Sequence, residues 1–528
     1  MEHFGQEPAE KSTGNDALQN ECPTLQSDCL APSLQTNIAA MRALFRDDND
    51  FVVRQFEIPA GGGVAGALLF IDGLVQSDTI NRAVLQPLLL EIRRVDDREN
   101  LHFQSLLQLG HTFLLAGELG SGTSYAAACD ACLSGDAVLM VEGFAEFVFI
   151  GAKGFERRSI TEPQTETVVR GPREGFTEVL RTNTALLRRK LKTPHLRMEL
   201  MQIGKQTKTS VCLSYIDNIA NPALMKEVKK RLHTIDTDAI LNSGYIEEFI
   251  EDSPRSLFQT IYHTEKPDIV AAKLLEGRCA LIIDGTPFVL TMPMLFTECL
   301  QSPEDYAVRP CVATFLRIMR SVAFFLSLTF PAIYIALTSF HQELIPTTLL
   351  FTIAASSESV PFNSVVETAI MLLTFEIMKD AGVRLPRAIG QTVSIVGALV
   401  MGQAAIQAGL VGAPVVIVVA FTAVASFLSP GFSDAISLLR WYFWFLASVM
   451  GGFGITLGLM TVLIHLAAME SFGAPYLYPL SPLSRADAKD SIVRVPMWKM
   501  RTRPAVLRPQ NIVRQNMAPP EFGQDGDE

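Results

Sequence analysis

The sequence lacks the residue groupings on which most enzyme chemistry depends. It contains no P-loop and no recognisable pairing of a nucleophile with a base. We therefore expect no enzymatic activity and no cofactor. A basic face is missing as well, because the formal net charge is −11, and this argues against general nucleic-acid binding.

Paired cysteines are also scarce. Of the eight cysteines, only Cys129 and Cys132 form a C-x-x-C, in "ACDACLSGD", and neither a second pair nor a nearby histidine accompanies them. The spacing permits a redox or metal role, but ordinary thiols in a reducing compartment are the interpretation we favour. We expect no metal site.

Charged residues become rare in one long part of the chain, between Val322 and Met469, and 48% of the whole sequence is hydrophobic. Residues 1–310, by contrast, carry charges every few positions, as a globular domain does. The N-terminus has neither a basic segment nor an apolar run, so no secretory signal is predicted. We interpret 1–44 as a disordered tail and the soluble domain as cytoplasmic.

Two motifs recur in the same order in the soluble part. "GALLFIDGLVQSDTINRAVLQPLL" (66–89) resembles "VCLSYIDNIANPALMKEVKKRL" (211–232), each a strand, an Ile-Asp turn and an amphipathic helix. "AVLMVEGFAEFVFIG" (137–151) resembles "CALIIDGTPFVLTMP" (279–293), each a β-hairpin around an acidic residue and a glycine. The recurrence predicts a duplicated α/β domain, with subdomains at 45–160 and 195–310 and a polar linker, 161–194, between them.

The Ile-Asp turns place one aspartate in each subdomain, Asp72 and Asp217. An aspartate at such a turn either binds a ligand or caps the following loop or helix, and we favour capping.

Apolar stretches in the charge-poor part predict an all-α, polytopic membrane domain over 318–470. The stretch 321–340 carries no charge and is long enough to span hydrocarbon, with Pro331 expected to kink it. The stretch 345–362 is shorter and more polar, so a re-entrant segment is the interpretation there. The remaining stretches are 364–379, 388–410, 411–428 and 441–469, and a basic tail, 471–528, completes the chain.

Basic residues indicate which ends of these stretches share one side of the membrane. They are Arg317, Arg320, Lys379, Arg384, Arg387, Arg440, Arg485, Lys489, Arg494, Lys499, Arg501, Arg503 and Arg508. If all face the cytoplasm, the number of crossings must be even. The stretch 441–469 then forms a hairpin broken at Gly451–Gly454. The alternative, a single tilted span, leaves the basic tail outside.

Two carboxylates lie in the apolar helix 364–379. Glu367 and Glu376 are nine residues apart, which puts them on opposite faces and about 13 Å apart along the axis. Lys379 follows Glu376 within one turn, so we predict a structural ion pair between them.

Glu367 has no basic residue near it in the sequence, and with Glu358, Ser356 and Ser357 it is a candidate pore-lining group. A ring of such carboxylates from several subunits would favour cations. The alternative is a carboxylate hydrogen-bonded inside the helix bundle.

Small and polar residues in 388–410 indicate helix packing. Ala398 and Gly402 have the small-xxx-small spacing that lets helices approach closely, and Gln403 and Gln407 form a polar pair one turn apart. We expect these four residues to hold helices together rather than to bind a ligand.

Several long motifs are shared with a known family. They are "YIDNIANPALMKEVKKRL", "NSGYIEEFIED", "LLEGRCALIIDGTPFVL", "EPQTETVVRGPREGFTEVLRTNTALLRRK", "SFGAPYLYPLSP" and the segment 360–420. Through them, residues 45–515 resemble the A subunit of GerA-family spore germination receptors. One departure is Asn363, where the family usually has proline after "VPF"; it bears on where the next helix begins. A related sporulation protein, stage V protein AF, shares the architecture, but the tail "RPAVLRPQNIVRQ" is more similar to a receptor A subunit.

The resemblance implies a location, partners and an activity. Such A subunits lie in the inner membrane of bacterial endospores, together with a transporter-like B subunit that binds the nutrient and a lipoprotein C subunit. They are expected to form homo-oligomers, in contact with lipid, that conduct monovalent cations when nutrient is sensed.

Two other classes remain open at this point. A scaffold subunit that conducts nothing would fit every feature except an unpaired Glu367. A secondary transporter would usually show repeated hydrophobic segments, whereas the duplication here is in the soluble half.

Overall fold

The computed structural model describes residues 28–46, 48–59, 63–94, 103, 105–154, 163, 166, 168, 170–358, 360–384 and 401–517. The chain divides into two compact units. The first contains residues 1–158 and 184–199, and the second contains 159–183 and 200–528.

Two five-stranded sheets form the soluble part, and their strands follow the same order. The first sheet runs β1-β2-β4-β5-β3 and the second runs β6-β7-β9-β10-β8. The strands are β1 Phe51–Ile58, β2 Val64–Ile71, β3 Leu119–Gly122, β4 Ala137–Val141, β5 Phe147–Ile150, β6 Leu196–Ile203, β7 Thr209–Ile216, β8 Tyr262–Thr264, β9 Cys279–Ile283 and β10 Val289–Met292. The matching order confirms the predicted duplication.

Helices cover the sheets and make up the apolar part. Those of the soluble part are α1 Leu34–Phe45, α2 (residues 77–94, with several wide π-type turns), α3 Leu106–Phe113, α4 Tyr125–Leu133, α5 Leu180–Lys190, α6 Pro222–Thr234, α7 Ser243–Ile250 and α8 Pro267–Glu276. Those of the apolar part are α9 Pro310–Ser339, α10 Thr347–Ser357, α11 Ser364–Arg384, α12 (residues 401–407), α13 Ala413–Phe427 and α14 Ser433–Ala468.

The two repeated hairpin turns each hold the first helix of their own repeat. Gly143 and Gly285 have φ of +91° and +87°, as the acidic-Gly turns predict. The acid before each glycine accepts a backbone N–H at a helix start: Glu142 Oε2 from Leu34 at 2.7 Å, and Asp284 Oδ1 from Leu180 at 3.0 Å. Each repeat therefore begins with a helix, α1 or α5.

This finding corrects two predicted boundaries, at residues 44/45 and 194/195. The disordered tail was expected to reach residue 44, but residues 34–45 form α1, and Leu34, Ile38 and Met41 pack into the core. Likewise the linker 161–194 contains α5, so the subdomains begin before residues 45 and 195. A shared signal was present in "LQTN" (34–37) and "LRTN" (180–183), but four residues are too few to stand out in a search for strand motifs.

A buried ion-pair cluster fixes the second half of α5 within the first unit. Arg188 is fully buried, and its guanidinium donates to Asp50 Oδ2 at 2.7 Å and to Asp48 Oδ2 at 2.9 Å. A charge in that position must be paired, because burial of an unpaired guanidinium is very costly. This pairing explains why a segment predicted to be a polar linker is folded.

The described apolar helices match the predicted stretches. α9, α11 and α13 coincide with the stretches at 321–340, 364–379 and 411–428, and Asn363 Oδ1 caps α11 by accepting from the Val366 N–H at 3.0 Å. Most of the stretch 388–410 lies outside the described residues. α10 has 11 residues, about 16 Å of helix, which is too short to cross hydrocarbon.

The long helix α14 reverses direction at Gly451, where φ is +59° and ψ is −136°. Its two arms, 433–450 and 452–468, lie side by side, since the hydroxyls of Tyr442 and Thr461 are 2.8 Å apart. Glycines allow this approach: a Cβ on Gly454 would overlap the Leu446 carbonyl oxygen. The hairpin interpretation of 441–469 thus describes the path of the chain, and the single tilted span is wrong.

The chain after α14 returns to the second α/β repeat. The Gln510 N–H donates to Ile219 O at 3.0 Å, and its side chain donates to Asp217 O at 3.0 Å. Because α9 starts directly after that repeat and the tail packs on it, both ends of the helical part lie on one side. An even number of crossings stays a prediction.

The tail makes a hydrogen bond in the second repeat that a neighbouring segment makes in the first. In the first repeat the Gly154 N–H donates to Leu74 O at 3.3 Å; in the second, the equivalent carbonyl of Ile219 receives Gln510. Gly135 and Gly277, at equivalent positions, both have positive φ and lie against these carbonyls. The second repeat is therefore completed from the far end of the chain.

Gly451→Ala should destabilise the protein by about 1–3 kcal/mol, because only glycine adopts its backbone conformation without strain and a Cβ would lie 2.7 Å from Phe340 Cγ. Gly452→Ala is the matched control. It lies one residue on, inside the second arm, where alanine favours helix by about 0.5–1 kcal/mol and a Cβ would meet only the half-exposed His341 ring, with Nε2 at 3.2 Å. Thermal unfolding of the detergent-solubilised chain compares them, and equal effects would contradict a reversal at Gly451.

Glu247 in α7 should make stability depend on pH. Burial, with a smaller contribution from the charge of Glu251, raises the pKa of Glu247 from 4.5 to about 7. The folded chain then binds more protons than the unfolded chain between these values, so the free energy of unfolding falls as pH rises through that window. Glu247→Gln should remove the fall and stabilise the protein at pH 8 by at most about 3 kcal/mol.

The measurement is thermal unfolding at pH 5 and pH 8, with the exposed neighbour Glu248→Gln as control. If Glu247→Gln kept the wild-type difference between the two pH values, Glu247 would not be the responsible group.

Candidate site for ion passage in the apolar helices

An arginine joins three helices inside the apolar part. Arg440, on the first arm of α14, is 1% exposed. Its Nε donates to Ser327 O in α9 at 3.1 Å, and its Nη1 donates to Glu376 Oε1 in α11 at 2.9 Å. Four residues after Ser327 stands Pro331, which has no N–H to give that carbonyl. Arg440 therefore supplies the hydrogen bond that proline removes from α9.

The predicted ion pair between Glu376 and Lys379 is wrong, because Glu376 pairs with Arg440. Lys379 Nζ donates instead to Ser437 Oγ at 3.1 Å, and that hydroxyl donates to Glu376 Oε2 at 3.3 Å. The prediction paired Glu376 with Lys379 because the two are close along one helix. Arg440 is buried and requires a carboxylate to neutralise its charge. The ammonium group of Lys379 lies near the helix end, where it can stay hydrated.

Glu367 is 2% exposed and accepts a hydrogen bond from the Gly412 N–H. Gly412 immediately precedes α13, so the carboxylate lies at the positive end of that helix, where a negative charge is stabilised. A Cβ on Gly412 would lie 3.1 Å from Glu367 Oε1 and 3.7 Å from Ser356 O, so α10, α11 and α13 meet here. Within one chain, Glu367 fits the alternative of a carboxylate bonded inside the bundle.

The other three candidate pore-lining residues lie at the end of α10. The hydroxyls of Ser356 and Ser357 both donate back to Ile353 O, at 2.9 and 3.0 Å. Glu358 follows the helix as its C-terminal cap and is exposed, with no partner among the described residues. The structure thus brings Ser356 close to Glu367 and leaves Glu358 on the surface of the single chain.

The residues expected to pack helices are described only in part. Ala398 lies outside the described residues. A Cβ on Gly402 would be 3.2 Å from Val416 Cγ1, so this glycine sits tightly against α13. Gln403 and Gln407 are exposed on the single chain. Their role in holding helices together stays a prediction.

The remaining candidates belong to the soluble part. Cys129 and Cys132 lie on α4 in the core of the first repeat, and burial raises the pKa of the Cys132 thiol well above its usual value. Within the described ranges, no three His, Cys, Asp or Glu side chains are grouped to hold a metal ion. The main chain of both Ile-Asp turns is hydrogen-bonded: the Asp72 N–H donates to Asp50 O, and Asp217 O accepts from the Gln510 side chain. Capping by the two carboxylates stays a prediction.

Arg440 is the residue that sequence reasoning missed. It was interpreted as a flanking charge, because the apolar run after it begins at Trp441. The helix begins earlier, at Ser433, so Arg440 lies two turns inside it. A usable signal was available, since a proline in a membrane helix frees a carbonyl that some donor must satisfy.

Fold and site together define a class of protein. In the part of the chain that the structure describes, two helical segments, 310–339 and 430–468, are long and apolar enough to cross a membrane, and the second is the hairpin with its leading turn. The chain therefore combines a duplicated α/β domain with a bundle of apolar helices that carries buried charges.

Comparison with known proteins identifies the family. Residues 39–506 match the family model described as "Bacillus/Clostridium GerA spore germination protein", and the chain belongs to that family. It is 45% identical to Spore germination protein KA of Bacillus subtilis, over 92% of this chain and 89% of the relative. It is 36% identical to Spore germination protein GerLA of Bacillus cereus, over 90% and 96%.

Two further matches complete the comparison. A Bacillus subtilis relative called "Uncharacterized membrane protein YfkQ" is 44% identical over 92% of this chain and 94% of its own. The crystal structure of the N-terminal domain of the A subunit of the Bacillus megaterium spore germinant receptor GerK3 is 36% identical, covering 51% of this chain and 97% of that chain with a TM-score of 0.41.

Arg440→Met should destabilise the protein by about 3–5 kcal/mol, because it leaves Glu376 without a counter-charge and the Ser327 carbonyl without a donor. Pro331→Ala restores an N–H four residues after Ser327, so the arginine substitution should cost about 1 kcal/mol less in that background. A double-mutant cycle from thermal unfolding in detergent measures this coupling. Strict additivity would mean that Arg440 does not replace the lost hydrogen bond.

Proposed function

We propose that the chain is the A subunit of a nutrient-responsive germination receptor in the inner membrane of bacterial spores. Family membership and the names of the relatives support this assignment. The partners follow from the family resemblance: a transporter-like B subunit that binds the nutrient, and a lipoprotein C subunit. In this proposal the soluble domain faces the cytoplasm, and so does the tail, which packs on the second α/β repeat.

We further propose that several copies form a ring that conducts monovalent cations. The observation that carries this is the polar face of α10, a helix too short to span. Thr348, Thr352 and Ser356 recur every fourth residue, and Glu358 ends the helix, exposed and without a partner among the described residues. A half-length helix with an exposed carboxylate needs water beside it, since a charge against lipid is costly. A ring of these carboxylates would attract cations.

Glu367 has a supporting role in this scheme. Its carboxylate fixes the start of α13 beside the end of α10, so it holds the wall of the pathway in place rather than lining it. Gln403 and Gln407, polar and exposed on an apolar helix, then face a neighbouring copy, where their amides can be paired.

Ion flux from liposomes that contain only this purified chain tests conduction. Wild type should release potassium, and Glu358→Gln should reduce cation selectivity over chloride several-fold without changing the oligomer. Glu343→Gln is the matched control, because Glu343 is also an exposed acid near α10 but lies before it. Its flux should equal that of wild type.

The outcome separates conduction from the alternatives. A well-folded oligomer with no flux would favour a scaffold subunit, and a monomer with substrate-dependent flux would favour a transporter. Unchanged selectivity in Glu358→Gln, with normal wild-type conduction, would remove α10 from the pathway.

A further inference from the structure

One loop of the soluble part is much longer in the second α/β repeat than in the first. In the first repeat, five residues, 114–118, join α3 to β3. In the second repeat, eleven residues, 251–261, join the equivalent helix and strand, α7 and β8. Since five residues are enough for this connection, the additional length serves another contact.

The longer loop is fastened to the end of α14. Ser256 Oγ lies 2.9 Å from His465 Nε2, in the last turn of that helix, and 3.3 Å from Met469 Sδ, directly after it. Phe258 is buried, and its ring packs edge-on against the ring of Phe432, just before α14. The loop therefore lies beside the point where the second arm of the hairpin ends.

These contacts place the loop at the edge of the predicted membrane domain. The ring centroids of Phe432 and Phe324 are 4.8 Å apart, and Phe324 is in the first turn of the uncharged stretch 321–340 of α9. The second arm of α14, 452–468, gives about 25 Å of helix, so hydrocarbon about 30 Å thick reaches its end. The loop is thus level with the boundary between hydrocarbon and headgroups.

The side chains that the loop exposes are of two kinds. Leu257 is 42% exposed, directly after the serine that contacts α14, and Pro254 and Arg255 are exposed next to it. Arg255 makes no hydrogen bond or ion pair with any residue that the structure describes. An apolar side chain followed by a long cationic one is suited to a membrane surface, because the first enters the acyl region while the second reaches the phosphates.

The charge that the loop presents is positive. Glu251 accepts from the Thr260 N–H at 2.9 Å, and Asp252 Oδ1 accepts from Arg231 Nη2 at 2.7 Å, so both acids have partners within the repeat. Within the described residues 251–261, this leaves Arg255 as the unpaired charge. A guanidinium in that position complements anionic lipid headgroups.

We propose that the loop 251–261 binds the surface of the phospholipid bilayer, with Leu257 among the acyl chains and Arg255 at the phosphates. The second α/β repeat then contacts the membrane directly, in addition to its connection through the apolar helices. This proposal rests on the proposed location of those helices in a bilayer, and it does not depend on ion conduction.

Electron paramagnetic resonance of the spin-labelled, full-length chain in nanodiscs tests the depth of the loop. A nitroxide is attached to Leu257→Cys in protein whose Cys22, Cys29 and Cys311 are replaced by serine. Its collisions with oxygen, which concentrates in lipid, are compared with those with a water-soluble nickel chelate. The ratio of oxygen to nickel collisions should be several-fold higher than for a label in water.

Two reference positions make the result specific. Leu241→Cys is the matched control in water, because Leu241 is 67% exposed and lies at the other end of α7, about 12 Å of helix from the loop. Ile464→Cys is the reference in lipid, since Ile464 is 63% exposed on the second arm of α14.

The three labels distinguish the possible outcomes. If the Leu257 label matched the Leu241 label while the Ile464 label lay in lipid, the loop would be in water and the proposal would be overturned. A Leu257 label shielded from both reagents would show that protein, such as a second copy of the chain, covers the loop, which also contradicts the proposal. An Ile464 label in water would instead contradict the membrane location itself.

Arg255→Gln tests the contact with headgroups. The Leu257 label should lie deeper in bilayers with phosphatidylglycerol than in neutral phosphatidylcholine, because a negative surface attracts the guanidinium. Arg255→Gln should remove most of this difference, whereas Lys208→Gln, at an exposed base in the turn before β7, should preserve it. A difference that stayed complete in Arg255→Gln would mean that Arg255 does not contact the headgroups.

Discussion

The contact of Arg440 with Ser327 and Glu376 organises the apolar part of this protein. Each member compensates for a cost that another creates: proline leaves a carbonyl bare in α9, the arginine is a charge remote from water, and the glutamate is an acid in an apolar helix. Any one of the three alone is destabilising inside a bundle. Together they fix the relative position of α9, α11 and α14. The helix α13 packs against all three of them.

A second group of charges ties the α/β repeat to the apolar helices. Asp305 is fully buried and accepts from Arg317 Nε at 2.9 Å and from Arg320 Nη1 at 2.9 Å, and Arg317 extends to Asp490 in the tail. Beside it, Phe258, Phe296, Phe324 and Phe432 pack their rings together. These contacts fasten the second repeat to the first turns of α9.

The sequence predicted the local features of the fold well, because hairpin turns, apolar lengths and the break at Gly451 depend on neighbouring residues. It predicted partners poorly. Glu376 was assigned to Lys379 by spacing, whereas its true partner is 64 residues away. The start of each repeat was missed because the interactions that place α1 and α5 come from Glu142 and Asp284, over a hundred residues away. The amphipathic period of a helix predicts which face is buried, but it does not predict which charged residue of another helix will contact that face.

The tail that completes the second α/β repeat has a consequence for how the chain is made. The segment that bonds to Leu74 in the first repeat is present once residue 154 has been synthesised, but its counterpart at Ile219 in the second repeat is absent until Gln510 has been synthesised. Every apolar helix is made in between. Residue 510 can reach Ile219 only after the whole helical part has been synthesised and the chain has returned to the repeat. The second repeat is therefore completed last, although most of it is made before the first apolar helix.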